Sequence, residues 1–132
     1  MKKKFIDYFM EVAELTASLS YEQRLQVGAL IVQGNRIIGT GYNGMPTDWD
    51  NECEVDGVTK PEVLHAETNA ESSKGATLFC THAPCIDCAK LIYQSGIETM
   101  YYRNDYRSDA GVKFLKLGGV NVHHYDTGKV PL

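Results

Sequence analysis

The feature that most constrains the fold is a regular alternation of helix and strand patterns along the second half of the chain. The predicted elements, in chain order, are a helix over 65–74, a strand over 76–81, a helix over 85–94, a strand over 97–103, a helix over 110–117 and a strand over 120–124. Such alternation is typical of a sheet whose parallel neighbours are covered by helices on both faces. Gly118 and Gly119 are placed to end the last helix.

The first half of the chain predicts one helix and one antiparallel strand pair. Apolar residues recur at helical spacing over 4–18, which indicates an amphipathic helix. An apolar, β-branched run over 25–32 is followed by the turn dipeptide Gly34-Asn35 and a second run over 36–41, which is a hairpin signal. We therefore expect an α/β fold, a three-layer α/β/α sandwich with a mixed sheet of about five strands.

The segment between these halves is long, polar and acidic. Residues 42–64 contain glycine and proline, and their acidic side chains are concentrated over 48–56. A loop of this length inside a compact domain is usually functional or mobile. No internal repeat, linker or low-complexity segment divides the sequence, so residues 1–132 are expected to form a single domain.

Charge and hydropathy restrict the expected partners. The chain has a formal net charge of −4, with 43% hydrophobic and 23% charged residues. A groove that follows a nucleic-acid backbone usually needs a strong basic excess, so no nucleic-acid polymer is expected as a partner, whereas a single nucleotide is not excluded. No apolar run approaches the ~18 residues of a membrane span, and no apolar segment of signal-peptide type follows the basic start Met1–Lys4. We expect a cytoplasmic protein without a membrane partner.

Three side chains form a predicted metal site. The chain has four cysteines, which in the absence of a secretory signal indicate metal ligands or buried thiols before disulfides. Cys85 and Cys88, just after Pro84, lie three residues apart, so their sulfurs project on the same side of a first helical turn. The positive N-terminal end of a helix favours thiolates. With the imidazole of His65 they make three zinc ligands and leave the fourth position to water, which is the pattern of a catalytic zinc.

Glu67 is the predicted catalytic residue. It follows His65 by two residues, and from the first turn of a helix it can reach a water on the metal that His65 holds. A carboxylate there can take the proton of that water and return it as a general acid. A closed structural zinc site is the alternative, although it needs a fourth ligand and leaves Glu67 without a role. An inactive zinc domain acting as an assembly platform is a second alternative.

Several segments resemble one enzyme superfamily. They are Tyr8-Phe9-Met10, Gln26-Val27-Gly28-Ala29, Gly41-Tyr42-Asn43-Gly44-Met45-Pro46, His65-Ala66-Glu67-Thr68-Asn69-Ala70, Pro84-Cys85-Ile86-Asp87-Cys88-Ala89-Lys90 and Gln94-Ser95-Gly96-Ile97. The order H-x-E and then P-C-x-x-C is the zinc deaminase signature. Over most of its length the chain resembles the cytidine and deoxycytidylate deaminases, and the segment 41–46 is similar to the deoxycytidylate (dCMP) branch.

The resemblance implies a fold, a reaction and a substrate. It implies a cytidine deaminase-like domain that hydrolyses dCMP to dUMP and ammonia, with one catalytic Zn²⁺, and supplies dUMP for thymidylate synthesis. The alternative is deamination of another cytosine or adenine substrate, either free cytidine or deoxycytidine, or a base of tRNA or another polynucleotide. The acidic balance disfavours the polymer substrates, and a phosphate-binding arginine would disfavour the free nucleosides.

The resemblance also implies which residues bind the nucleotide. The set is Arg24, Asn43, His65, Ala66, His82 and Tyr106. Arg24 would bind the phosphate, Asn43 the sugar hydroxyl, and Tyr106 would lie over the phosphate, with Arg103 and Arg107 as possible helpers. Each has a plainer alternative, because an isolated arginine is often a surface charge, Gly-x-Asn-Gly is a good turn, and Tyr106 lies in a predicted loop. His82 is expected to line the base pocket.

Regulation and assembly are likewise implied by the resemblance. Enzymes of this type are typically homohexamers that dCTP activates and dTTP inhibits, with Mg²⁺ accompanying the triphosphate. Asn43 and Gly44 are the expected effector contacts, near the acidic 48–56 loop. The alternative interpretation of that loop is a solvated acidic segment that binds nothing. Cys53 lies in that loop, and a second metal site there stays open, whereas Cys80 is expected in the core. If the chain is phage-encoded, its location is the host cytoplasm.

Overall fold

Ten elements of secondary structure lie in the part of the chain that the structure describes. The structure, a computed structural model, describes residues 1–20, 26–42, 54–55, 58–59 and 74–125. The elements are, in chain order, α1 (Lys3–Ala17), β1 (Gly28–Gln33), β2 (Arg36–Tyr42), β3 (Glu54–Val55), β4 (Val58–Thr59), β5 (Thr77–His82), α2 (Ile86–Gln94), β6 (Thr99–Asn104), α3 (Ala110–Leu117) and β7 (Asn121–His124). The helix predicted over 65–74 lies, except for its last residue, outside the described residues.

Five strands form one mixed sheet, as the sequence predicts. The strand order is β2-β1-β5-β6-β7. Strand β1 is antiparallel to both β2 and β5, while β5, β6 and β7 are parallel neighbours. Helix α2 connects β5 to β6 and helix α3 connects β6 to β7, so these are the helical crossovers that parallel strands require.

Helices cover both faces of this sheet and define three layers. The cluster on the face of α1 consists of Phe9, Met10, Ala13, Leu30, Val32, Phe79 and Tyr125. The cluster on the face of α2 and α3 consists of Val27, Ala29, Ile31, Ala76, Leu78, Cys80, Ala89, Ile92, Ile97, Met100, Leu115 and Val120. Neighbouring residues of β1 alternate between the two clusters because side chains along a strand point to opposite faces. The apolar run Ala29–Val32 within β1 therefore reflects a strand that is buried on both sides.

Gly28 allows α1 to approach the sheet closely. A Cβ atom at this position would lie 2.1 Å from the carbonyl oxygen of Ala13 and 2.5 Å from the amide nitrogen of Ala17. Both are backbone atoms, which no rotamer change can move aside. Glycine is therefore required where the start of β1 crosses the C-terminal half of α1.

The described strands and helices differ from the predicted ones mainly at their ends. The strand predicted to begin at Ile97 begins at Thr99, and Ile97 lies buried in the link between the preceding turn and the strand. Within the segment predicted as a loop, β3 and β4 pair as a small antiparallel ribbon. None of the described helices is both long and apolar enough to span a membrane.

Candidate functional site

Two cysteines meet at the start of α2. Cys85 is the N-cap residue, with an extended backbone (φ −72°, ψ 172°), and its Sγ accepts a hydrogen bond from the amide of Cys88 at 3.5 Å. Cys88 is buried in the first turn, whereas Cys85 is half-buried, and neither forms a disulfide. The three-residue spacing thus brings both thiols to one point, as predicted, at the carboxyl end of β5.

The electrostatics of this pair favour a bound cation. The side-chain hydrogen bond from Cys88, with further help from backbone amides at the helix start, lowers the pKa of the Cys85 thiol to about 6. The same contact and burial raise the pKa of Cys88. One thiolate is therefore already favoured at neutral pH, and a soft divalent cation would take the place of the shared proton. Two adjacent thiols at a helix N-terminus fit Zn²⁺.

The described residues supply only part of a complete coordination set. Among residues 1–20, 26–42 and 74–125 there is no group of three or more side chains from His, Cys, Asp and Glu that could hold a metal. Cys85 and Cys88 are two of the donors that a zinc site needs. His65, the predicted third ligand, Ala66 and the predicted acid–base residue Glu67 lie outside the described residues, as do Arg24, Asn43, Gly44 and Cys53.

Helix α3 supports the cysteine loop through a residue that the sequence analysis missed. A Cβ atom on Gly111 would lie 2.3 Å from the carbonyl oxygen of Pro84 and 2.8 Å from that of Cys85. The first turn of α3 therefore packs directly on the backbone that leads into the thiol pair. The available signal was a glycine inside a predicted helix, which is costly unless packing requires it.

His82 ends strand β5, three residues before Cys85. Its Nδ1 lies 2.9 Å from the hydroxyl oxygen of Thr81. Burial lowers the pKa of the imidazole, and a weaker opposing effect comes from Glu14. Burial therefore favours the neutral form of the His82 imidazole. Thr81 was not singled out in the sequence, because a threonine in a strand is ordinary. Its other hydrogen-bond partner, the amide of Gly28, is remote in the chain.

A depression of about 650 Å³ opens beside this strand end. It is lined by Ala83, Tyr102, Asp105, Tyr106, Arg107, Ser108, Asp109 and Val112. Tyr106 is half-buried in it, and the Arg107 guanidinium lies 5.5 Å from the centre of the Tyr106 ring. Because Ala83 is only two residues from Cys85, the predicted nucleotide residue Tyr106 and the thiol pair share one edge of the sheet.

Arg103, a possible helper of Tyr106, has a different partner. Its guanidinium forms an ion pair with Glu14 of α1 at 2.7 Å and lies over the ring of Tyr125. It projects to the face of α1, whereas the next residue toward the N-terminus, Tyr102, lines the depression on the other side. This geometry does not support the phosphate contact considered for Arg103.

The remaining prediction in the described region concerns Cys80. Cys80 is 4% exposed and lies in the core, as predicted. His123 and His124 are exposed on the edge strand β7.

Comparison with known proteins identifies relatives for the whole described fold. Residues 3–104 match the family described as "Cytidine and deoxycytidylate deaminase zinc-binding region". The deoxycytidylate deaminase of Saccharomyces cerevisiae is 35% identical over 99% of this chain, and the match covers 48% of the yeast protein. That of Mus musculus is 38% identical over 90% of this chain and 78% of the mouse protein. The chain thus spans about half the length of the yeast relative it matches.

One solved structure matches almost end to end. The dCMP deaminase of the cyanophage S-TIM5, crystallised with dCMP and dUMP, superimposes with a TM-score of 0.83 at 36% identity. The match covers 95% of this chain and 99% of the cyanophage chain. The predicted cytidine deaminase-like architecture is therefore confirmed. Together with the family match, this shows that the chain belongs to the zinc-binding cytidine and deoxycytidylate deaminase family.

Proposed function

We propose that this protein hydrolyses the 4-amino group of dCMP to give dUMP and ammonia, and so supplies dUMP for thymidylate synthesis. The observation that carries the proposal is the match to the cyanophage enzyme, which covers 99% of a chain crystallised with dCMP and dUMP. The paired thiols Cys85 and Cys88 at the start of α2 add the chemistry of a zinc site. We propose residues 1–132 as a single domain of this kind.

His65, Cys85 and Cys88 are the proposed zinc ligands, with one ion per subunit. Zinc, when bound, lowers the pKa of a coordinated water from 15.7 to roughly 7, which makes hydroxide available at neutral pH. The chain itself holds the two thiolates close together. Cys85 caps α2, and Gly111 allows α3 to pack against the Pro84–Cys85 backbone. Three protein ligands leave one position for water.

Glu67 is the proposed proton carrier. Hydrolysis requires two proton transfers. The first moves a proton from the attacking water to N3 of the pyrimidine, where it stays in the product, and the second moves the proton of the new C4 hydroxyl to the departing amine. A single carboxylate beside the reacting carbon can do this, first as a general base and then as a general acid. The bonds balance, since the C4–N bond breaks, a C4–O bond forms, and the products are dUMP and ammonia.

The depression at the carboxyl edge is the proposed nucleotide pocket. Tyr106 lines it, and His82 ends the strand next to its lining residue Ala83. Arg24 and Asn43 are proposed to complete it at the phosphate and the sugar, with His65 and Ala66 at the base. Acidic side chains at positions 105 and 109 of the rim disfavour a polynucleotide substrate, whose many phosphates need a basic channel.

Regulation and assembly are proposed on the family resemblance alone. We propose a homohexamer in the cytoplasm that dCTP activates and dTTP inhibits, with Mg²⁺ accompanying the triphosphate and with Asn43 and Gly44 among the effector contacts. Titration of each triphosphate into the dCMP assay, with and without Mg²⁺, tests the regulation. The regulatory proposal is wrong if neither nucleotide changes the rate.

An ultraviolet assay with dCMP, deoxycytidine and CMP tests the reaction and the substrate. We expect dCMP to be turned over with the highest kcat/KM. Glu67→Gln should lower kcat by about 10²–10⁴-fold, the usual contribution of a general acid–base residue, at unchanged zinc content. Glu71→Gln is the matched control, since it removes a neighbouring carboxylate. Preferred turnover of deoxycytidine would refute the substrate, and full activity of Glu67→Gln would refute the mechanism.

A further inference from the structure

The hydroxyl of Thr81 lies between two groups that come from distant parts of the chain. Its oxygen accepts a hydrogen bond from the amide of Gly28 at 3.1 Å and lies 2.9 Å from Nδ1 of His82. Thr81 is fully buried, with 0% exposure. Because its oxygen is already an acceptor for Gly28, the hydroxyl proton needs an acceptor of its own inside the protein.

Nδ1 of His82 is the acceptor that the described residues offer to this proton. The two hydrogen bonds above are those that Thr81 makes through its hydroxyl within the described part of the chain. A neutral imidazole has one protonated nitrogen and one acceptor nitrogen. If Nδ1 accepts from Thr81, the proton of the ring lies on Nε2, so the buried threonine selects one tautomer.

The backbone around His82 is held on both sides by Asn104. Its side-chain amide donates to the carbonyl oxygen of Thr81 at 2.8 Å, and its own carbonyl oxygen accepts from the amide of Ala83 at 2.8 Å. Gly28 is equally fixed, since α1 packs on it at backbone distance. The imidazole is thus oriented by a rigid frame and not by a flexible loop.

The second nitrogen of the ring is not used by the described residues, and the residue after His82 lines the depression. Among the described residues no hydrogen bond to Nε2 of His82 is present. His82 is half-buried and directly precedes Ala83, which lines the cavity. A nitrogen that carries a proton there presents a donor to whatever enters, and the oxygens of a nucleotide are acceptors.

We propose that Thr81 is a positioning residue that holds His82 in its Nε2–H tautomer, so that the imidazole donates a hydrogen bond to an oxygen of the bound nucleotide. The binding part of this inference rests on the proposed function, whereas the tautomer is a property of the free protein. In each case the group that accepts the hydrogen bond is an oxygen of the nucleotide, either on the phosphate or on the base or sugar.

Two sets of matched variants separate these statements. Thr81→Val removes the hydroxyl at nearly constant volume, and Thr81→Ser retains it. His82→Leu removes the donor, whereas His82→Gln retains an amide N–H near the position of Nε2. All four are compared in the zinc-loaded protein after thermal unfolding has shown that each is folded.

Long-range ¹H–¹⁵N correlation spectra of the labelled protein report the tautomer without any substrate. The four histidines give separable signals, and His82 is assigned by its loss in His82→Gln. We expect an unprotonated Nδ1 and a protonated Nε2 in the unmodified protein and in Thr81→Ser, and a mixture of tautomers in Thr81→Val. A protonated Nδ1 in the unmodified protein overturns the proposal even if the enzyme is active.

Steady-state kinetics test the donated hydrogen bond. Loss of one such bond predicts a fall in kcat/KM for dCMP of about 3- to 10-fold in His82→Leu and Thr81→Val. Thr81→Ser should stay within about 2-fold of the unmodified enzyme, and His82→Gln, which keeps an N–H donor, should lose less activity than His82→Leu. A penalty confined to dCMP assigns the acceptor to the phosphate, and one shared with deoxycytidine assigns it to the base or sugar. Equal activity of His82→Leu and His82→Gln overturns the proposed contact.

Discussion

The two faces of the sheet are built from different kinds of contact. On the face of α1, aromatic rings follow one another from Phe9 through Phe79 and Tyr101 to His123, with centroid distances of 5.4, 5.1 and 5.0 Å. On the face of α2 and α3, the core is mainly aliphatic, and it ends in thiols and an open depression at the carboxyl edge.

Polar contacts show the same division. The face of α1 is closed by the ion pair of Arg103 with Glu14 and by the hydroxyl of Tyr125, which donates to Asp7 at 2.7 Å. The depression is lined by polar side chains that include Tyr106, and His82 and Cys85 lie within two residues of its lining residue Ala83. Both faces therefore hold core contacts that stabilise the domain, but only the face of α2 and α3 carries the proposed chemistry. Substitutions on the two faces should separate stability from activity.

The largest expected effect comes from removing one thiol on the functional face. Cys88→Ala should abolish stoichiometric zinc binding and lower activity on the order of 10²-fold or more, because a ligand matters at least as much as the groups that orient it. Cys80→Ala is the matched control, since Cys80 is also a buried thiol on that face. It should keep its zinc and lose only about 1 kcal/mol of stability. Elemental analysis and urea unfolding measure both, and equal zinc loss in the two variants would contradict the assignment.

Two glycines give the next largest effect and the sharpest contrast. Gly28→Ala and Gly111→Ala both force a Cβ against backbone oxygens, at 2.1 and 2.3 Å. Each should lower the free energy of unfolding by about 1–3 kcal/mol or more. Only Gly111→Ala displaces the Pro84–Cys85 backbone, so it alone should also weaken zinc affinity, measured by competition with a chelator. A similar loss of zinc affinity in Gly28→Ala would show that the faces are not separable.

The ion pair between α1 and β6 should affect stability alone. Arg103 and Glu14 side chains are 22% and 32% exposed. A double-mutant cycle with Arg103→Met and Glu14→Gln should give a coupling free energy of about 1 kcal/mol at low salt. The KM for dCMP should not change in either variant. If Arg103→Met alone raises KM, Arg103 contacts the phosphate after all.

The smallest effect is an alkaline one at Tyr125. Burial, together with the hydrogen bond to Asp7, raises the pKa of this phenol to about 12. The unfolded chain releases the proton near pH 10, so between about pH 10 and 12 the unfolded state binds fewer protons and stability falls as pH rises. In Tyr125→Phe this part of the alkaline fall in stability should be absent, and the free energy of unfolding at pH 7 should be about 1 kcal/mol lower. Urea unfolding at pH 8 to 11 measures both, and an unchanged alkaline slope would refute the interpretation.

Much of the fold was predictable because it depends on local periodicity. The span predicted for α3 agrees with the observed helix, and the turn at Gly34-Asn35 has positive φ at both residues, as hairpin turns of this kind require. The end of β5 and the entry into β6 were less predictable. Ile97 is apolar like a strand residue, but its burial in the link before the strand depends on packing that the sequence does not show.

The sequence by itself determined the chemistry that can be written in short spacings. Cys85 and Cys88 meet because a helical turn brings residues three apart together, and the strand and helix types follow from hydrophobic periods. Tertiary structure alone decided which remote groups pair. Thr81 meets Gly28 across 53 positions, and Arg103 meets Glu14 across 89. Such pairs depend on strand order and on which face a side chain occupies, and neither is encoded in any local window.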